Sequence, residues 1–139
     1  MKKVTYYTLV VLRFLLAVFM INGGLQHFLK ADFYVPFVPS FLPFTHMIIL
    51  LSGVLEIVLG VLLFFPRKIS KYGGLAIFLL MIAFLPVHIY DLFSSTPAIG
   101  THKAAWIRFF VQFIFIGWAW AVYRFLGKGT MNNTPKYGR

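Results

Sequence analysis

Four long apolar runs, residues 4–28, 45–65, 72–90 and 104–126, constrain what this chain can fold into. A helix needs about 20 mostly apolar residues to cross a bilayer, and each run is close to that length. Of the 139 residues, 60% are hydrophobic and 12% are charged, and so short a chain cannot hide that much apolar surface in a soluble core. We therefore expect an all-α integral membrane four-helix bundle over residues 1–126 and a polar tail over residues 127–139.

The charged residues predict how these spans are oriented. The formal net charge is +10, and the lysines and arginines flank the apolar runs, which indicates contact with anionic lipid and not with nucleic acid. One side has only Lys30 and Lys103, beside Asp32 and Asp91. The other side carries Lys2, Lys3, Arg67, Lys68, Lys71, Arg124, Lys128, Lys136 and Arg139. Because Lys and Arg concentrate on the cytoplasmic side, both termini are predicted to be cytoplasmic, in a multi-pass protein of the inner (plasma) membrane.

The segment KADFYVPFVPSFLPF follows the first run and combines three prolines with five aromatic residues. Prolines interrupt a regular helix, and aromatic rings suit the headgroup level of a bilayer. The segment is therefore either an interfacial anchor or a lid over an outward-facing pocket. The chain also has no cysteine, which excludes disulfides and thiolate metal sites.

Three charged residues, Arg13, Glu56 and Arg108, lie inside the apolar runs at least one helical turn from either end. Such residues are costly to insert, so they normally pair and mark functional sites. Counted from the cytoplasmic ends of their runs, Arg13 and Glu56 lie about equally deep, and we predict that they form a buried pair. Arg108 is the second candidate partner for Glu56 and is expected to join Gln112. The pair either fixes helix register or serves a ligand, a proton or a quinone.

Further polar and small residues extend this candidate site. Ser52 lies one turn before Glu56, and Gly53 and Gly60 share the helix face of Glu56. Small residues permit close helix approach, either within the bundle or in a homo-oligomer.

The four histidines fall near the outer ends of the runs: His27, His46, His88 and His102. Their spacing matches no metal motif, so no metal site is predicted. A haem held by His27 and His88 is less expected than a quinone headgroup. Pro86, two residues before His88, is expected to kink the third helix or to mark its end.

Four segments together, GGLQHFLK, FYVPFVPSFLP, SGVLEIVLGVLLFFPR and FLPVHIYDL, resemble the DoxX family of small four-helix membrane proteins. The resemblance covers residues 13–125, and its most specific element is S-G-x-x-E after the proline-rich segment. Its members resemble membrane subunits of redox systems, including the DoxD-type subunit of thiosulfate:quinone oxidoreductase, and distant branches resemble assembly or trafficking factors. The positions marked in the family would fall on His27, Ser52, Gly53, Glu56, Gly60, Pro86 and His88.

The expected function is a small membrane subunit that binds a quinone or similar lipid-soluble ligand and docks a redox or membrane protein partner. Glu56 and Arg13 would set the electrostatics of the pocket, and His27, His88 and Arg108 would line its outer mouth. Redox chemistry would require a bound cofactor or a partner, and the sequence leaves open whether the protein is an enzyme. The alternative is a non-catalytic scaffold or assembly factor. A proton-coupled carrier is disfavoured, because the chain has no paired repeats.

Overall fold

The computed structural model describes residues 3–128, and this part of the chain contains helices and no strand. The helices are α1 Lys3–Leu29, α2 Ala31–Tyr34, α3 Thr45–Leu62, α4 Arg67–Phe93 and α5 His102–Lys128. All except α2 are long and apolar enough to cross a membrane. The predicted all-α architecture with four candidate spans is therefore confirmed. Most of the predicted polar tail, residues 129–139, lies outside the described residues.

The observed helix ends differ from the predicted ones where polar residues continue a helix beyond its apolar run. α4 begins at Arg67, immediately after Pro66, and ends at Phe93, whereas the apolar run predicted residues 72–90. Lys and Arg are good helix formers, and proline is favoured at a helix start. α3 ends early, at Leu62, and tight turns over Leu63–Phe65 lead into Pro66.

The four long helices run antiparallel to their neighbours. α1 packs along α3, and α4 packs along α5, while α3 also contacts α4 and α1 also contacts α5. The bundle thus has two ends. The terminal end holds the start of α1, the turn at Pro66 and the end of α5. The loop end holds residues 30–44 and 94–101.

Glycines bring α1 and α3 close together. A Cβ atom placed on Gly24 would lie 2.5 Å from the carbonyl oxygen of Gly53, and one on Gly60 would lie 2.9 Å from that of Ala17. The face that carries Gly53 and Gly60 therefore packs within the bundle, as small residues do between membrane helices.

Two arginines hold the helix ends at the terminal end. Arg13 donates from Nε to the carbonyl of Leu63 and from Nη2 to the carbonyl of Phe65 and to Ser70 Oγ, each at 2.6 Å. Arg67 donates in the same way to the last-turn carbonyls of Phe125 and Leu126 in α5. Carbonyls near a helix end lack intrahelical partners, so the two arginines supply donors where the helices end, and Ser70 Oγ shares the carbonyls of Leu63 and Phe65.

Candidate functional site

A cavity of about 230 Å³ lies near the loop end of the bundle. Its walls are mostly apolar or aromatic. All four long helices reach it, and the polar residues that line it are His27, Ser52, Glu56, His88 and Arg108. Five of the seven residues that the sequence singled out for a ligand site therefore share one cavity, and Arg13 and Gln112 do not line it.

The proline-rich segment covers this cavity. It contains α2 and a 3₁₀ turn over Val35–Phe37, and Tyr34, Phe37 and Leu42 line the pocket. Phe37 is only 7% exposed, whereas Phe41 and Phe44 are about three-quarters exposed. The inward-facing rings support the lid interpretation, and the outward-facing rings suit the headgroup level.

One wall is built by α1 and α3. Nδ1 of His27 lies 2.9 Å from the carbonyl oxygen of Ile49 and 2.8 Å from Ser52 Oγ, and Ser52 in turn donates to Ile49. Because a carbonyl oxygen can only accept, the contact with Ile49 places a hydrogen on Nδ1. Nε2 of His27 then faces the carboxylate of Glu56, with 3.7 Å between Nε2 and Oε1.

Glu56 is buried and lacks a close partner. Its residue exposure is 8%, and among the described residues the one basic side chain beside it is the imidazole of His27, which is charged only if protonated. Gly23 leaves room for the carboxylate, since a Cβ atom there would lie 2.8 Å from Oε2. The carboxylate lines the cavity and has acceptor capacity that no described residue fills.

The opposite wall is built by α4 and α5. Nη1 of Arg108 donates to Oδ2 of Asp91 at 2.9 Å, and its guanidinium carbon lies 4.1 Å from the ring centroid of Phe37 in the lid. Asp91, with its side chain 4% exposed, also accepts a hydrogen bond from the backbone N–H of Ala98. This one carboxylate therefore joins α4, the 94–101 loop and α5.

Two further polar residues lie near this wall. His88 lines the cavity, and its Nδ1 is buried without a hydrogen-bond partner in residues 3–128. Pro86 lies inside α4, so the helix continues past it. Gln112 is buried and donates from Nε2 to the carbonyl of Met81 at 2.6 Å.

Tyr34 connects the two walls through the lid. Its ring centroid lies 4.2 Å from that of His27. Burial raises the pKa of Tyr34, and the charge of Glu56 raises it further while that of Arg108 lowers it. The phenol therefore lies within electrostatic range of both charged residues of the cavity.

The predicted pair between Arg13 and Glu56 is wrong. Glu56 packs beside Gly23, ten residues along α1 from Arg13, which corresponds to about 15 Å. α1 has 27 residues and α3 has 18, so the first turns of α1 extend past the end of α3. Depth counted from the ends of the apolar runs therefore placed Arg13 and Glu56 at the same level, whereas the structure separates them along the bundle.

The expected link between Arg108 and Gln112 is also wrong, because Arg108 pairs with Asp91 and Gln112 binds the carbonyl of Met81. Asp91 was not predicted as a site residue, because it lies just outside the third apolar run. The sequence does show an acid directly after the third apolar run and an arginine one turn into the fourth run. In antiparallel helices these two positions lie near the same end of the bundle.

The outer histidines do not form a metal cluster within residues 3–128, where no group of three or more His, Cys, Asp or Glu side chains could hold a metal ion. His46 is exposed and lies 3.5 Å from Asp32 on the surface.

The fold and the cavity together define a small helical protein with four candidate membrane spans and a lid-covered pocket at one end. The profile of the family DUF8561, described as a domain of unknown function, matches residues 16–123. This match covers more than half of the chain, which therefore belongs to that family. Comparison with curated proteins and with solved structures finds no match.

Proposed function

We propose that this protein binds a quinone or similar lipid-soluble ring compound in the cavity and docks a redox partner in the membrane. The observation that carries the proposal is the cavity itself, with aromatic walls and polar groups on two opposing helix pairs. Ligand sites commonly combine apolar walls with a few placed polar groups.

The size of the cavity fits a single substituted ring. An apolar protein cavity of about 150 Å³ holds benzene, and this one is about 230 Å³. A ring with two or three small substituents fills such a space, while a long isoprenoid tail would have to lie outside it.

The polar groups are placed for a ligand with oxygen atoms at both ends. Ser52 and Glu56 lie on α3, and Arg108 lies on α5, which is diagonal to α3 in the bundle. A quinone headgroup carries its two oxygens on opposite sides of the ring, so each oxygen would meet one wall. Phe37, stacked against Arg108, offers an aromatic face beside the ring.

We further propose that the four spans lie in the inner (plasma) membrane with the terminal end in the cytoplasm. The described cations of that end are Arg13, Arg67, Lys68, Lys71, Arg124 and Lys128, whereas all three acids of the chain lie elsewhere. The positive-inside rule favours this orientation, and the basic residues suit contact with anionic lipid.

We infer a redox partner because the chain has no cysteine that could carry out redox chemistry itself. With no cysteine in the sequence, electrons would have to come from a bound cofactor or from another protein. The resemblance to the DoxX family, with its redox subunits, supports this proposal. In that scheme the chain supplies the membrane site for the ring, and the partner supplies the electron-transfer group.

The test is whether the purified protein holds such a ring in this cavity. Detergent-purified protein is extracted with organic solvent, and mass spectrometry identifies quinones and their reduced forms. Val87 lines the cavity, and Ile89, two residues later, does not. Val87→Trp should fill the pocket and abolish both the co-purified ring and saturable binding, whereas the matched variant Ile89→Trp should keep them.

Failure would take a definite form. Wild-type protein with neither a co-purified ring nor saturable binding would refute the proposal. Combined with loss of folded protein in Glu56→Gln, that result would identify Glu56 as structural and favour the non-catalytic scaffold or assembly factor.

A further inference from the structure

We propose that the cavity selects the reduced, hydroxylated form of its ring ligand, a hydroquinone, over the oxidised quinone. This inference rests on the proposed function and specifies which state of the ligand the site recognises. It follows from the hydrogen-bonding character of the two walls.

The wall formed by α1 and α3 presents acceptors to the ligand. In its ionised form the carboxyl group of Glu56 accepts hydrogen bonds and donates none. Glu56 lines the cavity with no hydrogen-bond donor from the described residues. Nε2 of His27, 3.7 Å from Oε1, is also an acceptor when the hydrogen is on Nδ1. When Glu56 is ionised and His27 is neutral, these two facing atoms are both acceptors, and a ligand hydroxyl can donate to one of them.

The wall formed by α4 and α5 presents a donor. The guanidinium of Arg108 has five N–H donors and no acceptor. Among the described residues its only side-chain hydrogen bond goes from Nη1 to Asp91. Arg108 therefore has N–H groups that do not donate to Asp91, and an oxygen of the ligand can accept a hydrogen bond from one of them.

A hydroquinone satisfies both walls, because each of its hydroxyl groups can donate and accept. A quinone has two carbonyl oxygens that only accept. One could accept from Arg108, but the other would face the lone pairs of Glu56. Leaving a buried polar group unsatisfied weakens binding by about tenfold or more.

The space beside Gly23 allows the carboxylate of Glu56 to be moved without disturbing the packing of the helices. Oε2 of Glu56 lies 2.8 Å from the position that a Cβ atom of residue 23 would take. The obstacle in Gly23→Ala is the end of a flexible side chain, so the carboxylate should rotate away while α1 and α3 stay packed. This variant keeps the charge and moves the acceptor.

The experiment measures binding of one short-tailed benzoquinone and of its matching hydroquinone, kept reduced under argon, to the detergent-purified full chain. We expect the hydroquinone to bind about tenfold more tightly or better. Glu56→Gln, whose amide also donates, should bring the ratio of the two dissociation constants close to one. Gly23→Ala should also lower the ratio of the quinone dissociation constant to the hydroquinone dissociation constant. The matched carboxyl-to-amide change Asp32→Asn, at a side chain 98% exposed, should leave it unchanged.

The outcomes separate this inference from the proposed function. Equal or tighter binding of the quinone by the wild-type protein would overturn the inference and leave the ring-binding function standing. A preference for the hydroquinone that survives both Glu56→Gln and Gly23→Ala would also overturn it, because the acceptor would lie elsewhere. Binding of neither form would overturn the proposed function itself.

Discussion

Alanine at Gly24 should push α1 and α3 apart, and its neighbour Gly23 provides a sharp comparison. A Cβ atom on Gly24 would lie 2.5 Å from the carbonyl oxygen of Gly53 and 2.7 Å from Cγ1 of Ile57. Ordinary contact begins near 3.4 Å, so the backbones would have to separate by 3.4 − 2.5 = 0.9 Å. Overpacking of this kind costs about 1–3 kcal/mol, and a backbone oxygen cannot rotate out of the way.

Gly117 in α5 is the matched control, because a Cβ atom there would meet nothing within 4 Å. Glycine-to-alanine changes inside helices gain up to about 1 kcal/mol of helix propensity, and the two variants share that gain. The difference in unfolding free energy between Gly24→Ala and Gly117→Ala therefore isolates the overpacking. We expect Gly24→Ala to be less stable by about 1–3 kcal/mol.

The assay is reversible unfolding in mixed detergent and SDS micelles, followed by circular dichroism. Gly23→Ala should unfold close to Gly117→Ala, since its obstacle is the mobile carboxylate of Glu56, but it should lose the preference for hydroquinone. Equal stability of Gly24→Ala and Gly117→Ala would refute the close approach of α1 and α3.

Three further perturbations test other contacts. Asp91→Asn leaves a buried side chain, 4% exposed, without the charge that pairs with the partly buried Arg108 and should destabilise the fold by about 3 kcal/mol, measured by the same unfolding assay. The exposed Asp32→Asn should change nothing. Arg13→Lys replaces the spread donors of the guanidinium by one ammonium nitrogen, which does not reproduce the geometry in which Nε and Nη2 reach separate carbonyls. It should cost about 1–3 kcal/mol without changing ring binding, and weaker ring binding would contradict the location of Arg13 far from the cavity. Because the chain has no cysteine, Ser95→Cys and Lys68→Cys each create a single thiol, and an impermeant maleimide added outside intact cells should label only the former; labelling of the latter would reverse the proposed orientation.

The fold was predictable because its main determinant is local. Runs of about 20 apolar residues identify membrane-length helices without knowledge of their neighbours. The ends were less predictable, because hydropathy marks where a helix is apolar and not where it stops. Four of the five residues Arg67–Lys71 are polar, yet this segment forms the start of α4.

The residues that line the cavity could be predicted about as well as the fold. The partners that these residues contact could not. A charged residue in an apolar run faces the bundle interior to avoid lipid, and this rule identified Glu56 and Arg108. Partners depend on the stagger between helices, which periodicity does not contain. The nine-residue difference between α1 and α3 separates Arg13 from Glu56, and the extension of α4 to Phe93 brings Asp91 to Arg108.

The distribution of charge explains why Glu56 is the residue most suited to a ligand. Asp32 is exposed and Asp91 already has Arg108 as its partner. Arg13, the other cation inside the apolar runs, is held by backbone carbonyls at the opposite end. Glu56 is thus the one acid of the chain that is buried without a cation beside it, apart from an imidazole 3.7 Å away. An ionised carboxyl group that is buried without a donor is costly. In the proposed complex a ligand hydroxyl would donate to it and remove that cost, so the acceptor would contribute to binding.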